Sequence, residues 1–489
     1  MGIDKVFTDW YFVNASARPK LMLDIKKALL QIKKGNIAFV DLRFVDLRGT
    51  WQHMSIPAHE FDLGNIKKGY GFDGSSIRGF QTIYESDMLL LPDVETCFMD
   101  PFYDKTLIVI CDVYDPITGK PFEKDPRYTA KKAEEYLKKS GIADTSYWGP
   151  EIEFFVFDRL NVNLTPYYSS IEIQSSELPF ETARGEDDGY PIRNKEGYFP
   201  VPPFDKLQAF RSEMVTILES IGIQIEVHHH EVSSGGQLEI DMRYDTLVSM
   251  ADKVLKYKYV ARNLAKKYGM TASFLPKPIY GDNGSGMHTH QSLFKRGKNL
   301  FYDPVHGYAE LSKMGMSYAA GLLSNIGTVL ALTNPTLNSY RRLVPHFEAP
   351  TSIAFSKRNR SAAVRIPMYY KGEEKAKRIE FRTPDPTCNP YLSFASLLVY
   401  GLDGVKKNLD PKTLGFGPFE ENIWENANIK QTPNNFPLIL GNLESDTILV
   451  KSGVFSQSLI TSYVEVKRGE LQQNMLYPTP ADFWFYGDI

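Results

Sequence analysis

The sequence predicts an α+β protein in two unequal parts, a small mixed β part followed by a much larger one in which helices and carboxylate-bearing strands succeed each other. Three observations carry this. Residues 37–45 and 51–56 read as paired strands about a turn at Gly49, and LIVICDVY at 107–114 as a buried strand, before the turn-rich DPITGKPFEKDP at 115–126 breaks the pattern. Beyond that break, helical periodicity appears at 129–140, 206–221, 248–268, 391–407 and 456–475. Between them, IQIEVHHHEVSSGGQLEID at 223–241 alternates, turns at SSGG and returns, as a β-hairpin does. A length of 489 residues alone would suit about three domains. The pattern breaks fit two better, residues 35–120 and 121–489, after an extension, 1–34, ending in a helix with Leu21, Ile25, Ala28, Leu29 and Ile32 on one stripe.

The hairpin places costly chemistry. By strand parity His229 and Glu231 continue the face of Ile223, Ile225 and Val227, while Glu226, His228 and His230 point the other way. An odd-numbered loop puts Glu231 opposite Glu239, with Cβ atoms about 4.5–5.5 Å apart. At ~5 Å and an effective dielectric near 20 the repulsion is roughly 3 kcal/mol, so such a pair needs a proton, an arginine or a cation. Taken alone, the hairpin is equally well read as a solvated strand end. A second pair shifts the balance, because Glu151 and Glu153 in GPEIEFFVFD share one face of an otherwise apolar strand. Oxygen-rich donors with few histidines and no nearby cysteine suit magnesium or manganese better than zinc or copper.

The remaining motifs add anion chemistry. GYGFDGSSIRGF at 69–80 is a glycine- and serine-rich loop in which Asp73, on its own, reads as a turn aspartate bonding its own backbone. Residues 161–199 show little periodicity, carry a charged run at Glu186, Asp187 and Asp188, end in GYFPVPP, and read as a long surface excursion. GDNGSGMHTHQS at 281–292 is neither a P-loop nor a dinucleotide fingerprint, but sets His288 and His290 at i and i+2 after a loop of backbone donors. Arginines then crowd: Arg341, Arg342, Arg358, Arg360, Arg365, and in RIEFR Arg378 and Arg382 on the same strand face as Glu380. Guanidinium forks there would hold carboxylates or phosphates beside a metal. The C-terminal YPTPADFWFYGDI offers aromatics for docking, on its own domain or on another subunit.

Composition excludes several classes. A formal charge of −3 gives no electrostatic case for nucleic acid. Cys97, Cys111 and Cys388 are odd in number, with no CxxC, which argues against a disulfide framework or zinc ribbon and for a reducing compartment. No apolar run approaches about 18 residues and the N-terminus lacks a signal-peptide core, so a cytoplasmic protein with no membrane partner is expected.

Seven motifs in order, FDGSSI, GPEIEFF, HHHEVSSGGQLE, GDNGSGMHTH, RLVPHFEAP, RNRSAAVRIP and RIEFRTPDPTCNPYL, resemble type I glutamine synthetase from about residue 36 to 404. The resemblance implies a small N-terminal β-grasp domain and a large catalytic domain built on a curved antiparallel sheet flanked by helices. It also implies two stacked hexameric rings with sites between subunits, and L-glutamate, ammonium and ATP as substrates with Mg2+ or Mn2+. Residue by residue, Glu153, Glu231 and Glu239 match the ligands of one ion, and Glu151, His288 and Glu380 those of another. Glu226, His290, Ser292, Arg365 and Lys375 match nucleotide-binding positions, while Asn283, Gly284, Arg342, Glu348, Arg360 and Arg382 match glutamate-binding ones. Asp73 matches the residue a neighbouring subunit supplies to the ammonium pocket, Tyr198 its wall, and Glu348 the loop that closes the site. Two positions depart: Trp424 stands where some members carry an adenylylated tyrosine, and Thr82 where some carry an arginine tied to glutamine feedback. A γ-glutamyl ligase for an organic amine or polyamine, and a non-catalytic structural relative, are the alternatives, the second requiring lost ligand carboxylates, of which none is missing.

Overall fold

The computed structural model describes residues 23–178, 189–345, 347–420, 423, 426 and 428–487. The chain enters through the helix Ile25–Lys33, capped by Asp24, which accepts from the Lys27 N–H at 2.8 Å and buries Ala28 on the expected stripe; Leu21 lies outside the described residues. The strands of the small sheet then run in the order Trp51–Pro57, Phe39–Val45, Thr106–Tyr114, Asp87–Pro92, Tyr70–Asp73. Phe39–Val45 pairs in parallel with Thr106–Tyr114 and the other neighbours are antiparallel, the mixed small part of a β-grasp fold. Alternation does not mark Thr106–Tyr114, whose Leu107 to Cys111 are all buried, as expected of a central strand covered on both faces.

The larger part is organised on one long strand, Thr145–Phe157, in a ten-stranded sheet. On one side it pairs with Gln237–Met242 and through it Ile225–His230; on the other with Met287–Lys295, then Ile379–Phe381, Ala362–Ile366 and Ser352–Lys357. The last pair is parallel and the rest antiparallel, so the curved sheet expected to be antiparallel is mixed at one edge. Helices cover its back. Pro390–Lys406 is buried nearly all round, starting where Asn389 accepts from the Tyr391 N–H at 3.1 Å and Pro390 occupies the first turn. It approaches Lys313–Ser324 so closely that a Cβ on Gly321 would stand 2.9 Å from the Gly404 Cα, a contact only glycine permits. No single described helix is long and apolar enough to cross a membrane.

Arg127 joins the two parts. At the start of the helix Pro126–Lys139 and 3% exposed, it donates to Asp93 (2.8 Å) and Asp112 (2.7 Å) of the small part and to both oxygens of Asp252 (3.0 and 2.9 Å) in the helix Leu247–Lys267. Burial alone would lower its pKa, but Asp252 and Asp112 outweigh this and raise it.

Two expectations need correction. The excursion 161–199 contains a two-stranded hairpin, Arg159–Thr165 with Tyr168–Gln174. Leu160, Val162 and Leu164 alternate with arginine and asparagines, but Val162 and Leu164 are exposed, so the period-2 signal has no core behind it. The run Glu186, Asp187 and Asp188 lies outside the described residues, as does Trp424. The loop 69–80 begins as the edge strand Tyr70–Asp73, because Gly71 and Phe72 pair with Leu89 and Met88. At the C-terminus the helix Pro480–Tyr486 leaves Phe483, Trp484, Phe485 and Tyr486 exposed, so these aromatics do not pack on their own domain.

Candidate metal and anion site

A basin of about 890 Å³ opens over the front of the larger sheet, and its walls bring together most residues singled out from the sequence. Register decides which carboxylates meet. Glu239 pairs with His229 on one side and with Glu153 on the other, so the directly opposed carboxylates are Glu153 and Glu239. Glu231 instead donates its backbone N–H to the Gln237 carbonyl at 2.8 Å. The expected Glu231–Glu239 opposition is therefore diagonal: the turn is shorter than parity assumed, and both still face the basin. Glu226 is corrected too. Plain alternation sent it away, yet it lines the basin, at the point where the pairing shifts register between Ile225 and Val227.

Two donor groups emerge. His229, Glu231 and Glu239 offer ligand atoms all within 4.8 Å of one another, and so do Glu151, His288 and Glu380. In the first, burial followed by Glu153 pushes the Glu231 carboxyl well above the usual range, and burial followed by Asp241 and Glu231 does the same to Glu239. Asp241 is raised to about 8, by burial and then by Glu151. Carboxylates crowded so that they prefer a proton fit a divalent cation, which would replace that proton with stronger compensation.

In the second group the charge is already answered. His290 Nε2 stands 2.7 Å and His288 Nδ1 3.3 Å from Glu151, and against the cost of burial these two histidines hold Glu151 well below its usual value. Glu380, fully buried, takes Arg382 on one oxygen and Arg365 at 2.6 Å on the other. Burial opposes its ionisation, but Arg382 prevails and its pKa falls to about 2.

The loop 281–292 works differently from expectation. Its N–H groups are largely used: Gly286 donates to Glu153 at 2.9 Å, Ser285 to the Pro276 carbonyl and Met287 to the Pro384 carbonyl. Gln237 Nε2 donates to the same Glu153 oxygen at 3.0 Å. Gly284 is required by close approach, since a Cβ there would lie 2.3 Å from the Pro276 carbonyl oxygen. Arg342, buried, lies against this glycine and donates to the Thr383 carbonyl at 2.8 Å.

Asn283, Ser292, Lys375, Glu348, Arg360 and Tyr198 also line the basin. Arg360 and Glu348 face each other at 3.7 Å, both about half exposed, at its rim. Tyr198 stacks on Phe199 at 4.0 Å, and both rings meet His229 edge-on. Asp73 is not part of the basin of its own chain. It is exposed and accepts from the Ser75 N–H (2.8 Å) and hydroxyl (2.6 Å) and the Ser76 hydroxyl (2.9 Å), which lower its pKa.

Sequence reasoning left out His229 as a donor, though its alternation with Glu231 was visible. It also left out Asp241, which follows Glu239 by two residues on the same strand face. His228 and His230 do point away, to Arg211 at 3.3 Å and Glu177 at 3.0 Å.

Fold and basin together define a two-domain α+β enzyme able to hold divalent cations beside an arginine-lined cleft. Residues 36–116 match the glutamine synthetase beta-grasp domain and residues 123–486 the glutamine synthetase catalytic domain. The chain is 47% identical over 478 residues to the glutamine synthetase of Aquifex aeolicus, covering 96% of this chain and 99% of that one. It is 45% identical to the 3-hydroxylaminophenol mutase of Cupriavidus pinatubonensis, covering 93% and 97%. The cryo-EM structure of Plasmodium falciparum glutamine synthetase superposes with a TM-score of 0.87 at 28% identity, covering 96% of this chain and 100% of that one. The chain belongs to the glutamine synthetase family, and its catalytic domain is that of a glutamate–ammonia ligase.

Proposed function

We propose that the chain joins ammonium to the side-chain carboxylate of L-glutamate at the expense of ATP, through γ-glutamyl phosphate, giving L-glutamine, ADP and phosphate for nitrogen assimilation. The observation that carries this reading is the pairing of an under-compensated carboxylate group with an arginine-braced one across a single strand. Glu153, Glu231 and Glu239, with His229 beside them, would hold one Mg2+ or Mn2+, and Glu151, His288 and Glu380 another. When bound, such ions neutralise charge on phosphoryl oxygens.

Everything else falls to side chains. Glu226, His290, Ser292, Arg365 and Lys375 line the part of the basin where the nucleotide would bind. Asn283, Gly284, Arg342 and Arg382 would orient glutamate so that its carboxylate attacks the γ-phosphorus in line while guanidinium donors meet the growing oxygen charge. Glu348, opposite Arg360 at the rim, would close over the acyl phosphate and exclude water. Asp73, held ionised by Ser75 and Ser76, would attract ammonium and take its proton, so that ammonia attacks the acyl carbon and phosphate leaves. Since Asp73 lines no part of its own basin, it would be supplied by a neighbouring subunit, with Tyr198 walling the pocket, in two stacked hexameric rings. Three buried, unpaired cysteines support a cytoplasmic setting.

The test is phosphate release from ATP with glutamate and magnesium, run with ammonium, hydroxylamine, a small organic amine and no amine. Strong dependence on ammonium is expected. Preference for the organic amine would make the chain an amine ligase, and silence in every arm would overturn catalysis altogether.

A further inference from the structure

A second cavity, of about 500 Å³, lies where the small sheet meets the helical back of the larger part. It shares no lining residue with the acidic basin. Arg48 and Arg78 reach it from the small part, and Lys258, Arg262 and Lys467 from the helices Leu247–Lys267 and Gln457–Met475. One carboxylate lines it, Glu470, and that is engaged by Arg48 at 3.1 Å and Lys467 at 3.0 Å. Five cations against one acid, in a chain whose formal charge is −3, is a local excess of the opposite sign to the whole.

Lys258 is the informative member. It is only 6% exposed, and its ammonium, with no hydrogen bond or ion pair among the described residues, keeps its remaining solvent contact at the cavity. It lies 5.8 Å from the centre of the Phe274 ring, and the Arg262 guanidinium lies 5.1 Å from the same ring. Asp385, the buried acid whose charge acts on Lys258, is committed to the Thr387 N–H at 3.0 Å and the Asn334 amide at 2.9 Å. Burial lowers the Lys258 amine to about 8. A largely buried lysine whose head group meets no acid carries a desolvation cost, and an anion in the adjoining space would offset it.

We propose that this cavity is a binding site for a small phosphorylated metabolite, held by Lys258 and Arg262 from the helical layer and by Arg48 and Arg78 from the small sheet. Guanidinium forks and ammonium donors are the chemistry that recognises phosphate oxygens, and the volume lies in the range of small-molecule sites. Because its cations come from both parts of the chain, occupancy would tie the small sheet to the helix that carries the Arg127 partner Asp252.

The experiment is calorimetric titration of pyrophosphate into the full-length protein in the presence of chelator. One pyrophosphate per chain is expected, weakened at least tenfold in Lys258→Met and Arg262→Gln and severalfold in Arg48→Gln and Arg78→Gln. The last two positions are exposed, so their effect does not pass through folding. Arg365→Gln, in the acidic basin, should leave binding unchanged. Absence of binding, indifference to the cavity variants, or loss that follows Arg365→Gln would each overturn the proposal. So would a change of oligomer mass in Lys258→Met without pyrophosphate uptake by the parent, since the cavity would then be an interface with a second copy.

Discussion

Two clusters of buried charge, alike in residue type, have opposite balance. Around Arg127 three carboxylates converge on one guanidinium, which meets them with short, directed hydrogen bonds and joins elements far apart in sequence. Around Glu239 three further carboxylates, Glu153, Glu231 and Asp241, meet, and among the described residues none of the four has an ion pair with a lysine or arginine. Buried charge costs several kcal/mol per ion unless paired. The first arrangement is therefore complete as a structure, whereas the second is complete only with a cation, and this separates a brace from a site more sharply than burial or acidity does.

The contrast is broken most severely at Arg127. Arg127→Met removes the common donor of Asp93, Asp112 and Asp252, leaving Lys131 to the first two and the Tyr391 hydroxyl to the third, and about 3–5 kcal/mol of folding stability should vanish, measured by urea denaturation. A loss under about 1 kcal/mol would mean that the brace is ornamental. Glu239→Gln should do the reverse, leaving metal-free stability unchanged or higher while lowering turnover by about 10²–10³, or roughly 3–4 kcal/mol of transition-state stabilisation. If this variant unfolds instead, the two clusters do not differ in kind.

Magnesium or manganese at about 100 times its dissociation constant should stabilise the parent protein by ~2.7 kcal/mol in thermal unfolding, and Glu239→Gln by much less. Asp73→Ala should lower ammonium use far more than ATP binding; a matched loss of both would make Asp73 a structural turn residue. A last effect lies beside the brace. Asp125 is pushed up to about 7, by burial and then by Asp112. Its native form holds a proton that the unfolded form has lost above pH ~3.9, so stability should fall as pH rises from there towards 7. Asp125→Asn should flatten that slope, and an unaltered slope would locate the titrating group elsewhere.

Much of this contrast was visible in the chain. Period 2 placed Glu151 with Glu153 and Arg378 with Glu380 and Arg382 on shared faces, because strand geometry is local. Register was not visible. Whether Glu239 faces Glu231, His229 or Glu153 depends on the length of one turn and one bulge, and neither leaves a mark in alternation. The Arg127 brace was equally hidden, since its partners come from positions 93, 112 and 252 and nothing in their neighbourhoods distinguishes them from surface aspartates. The hairpin Arg159–Thr165 with Tyr168–Gln174 carried a readable alternation that was outweighed by its asparagines and by the aperiodic segment after it.

Glu151 and Glu153 lie two apart on a single strand, the first a member of one donor group and the second directly opposite Glu239 of the other. Two residues of strand span about 6.6 Å whatever the surrounding loops do. The central strand is thus a ruler, and the spacing between the two halves of the site is written in covalent geometry. Substitutions can change what each half holds, but only an inserted or deleted residue can change how far apart they stand, and by swapping strand faces it would erase one half altogether.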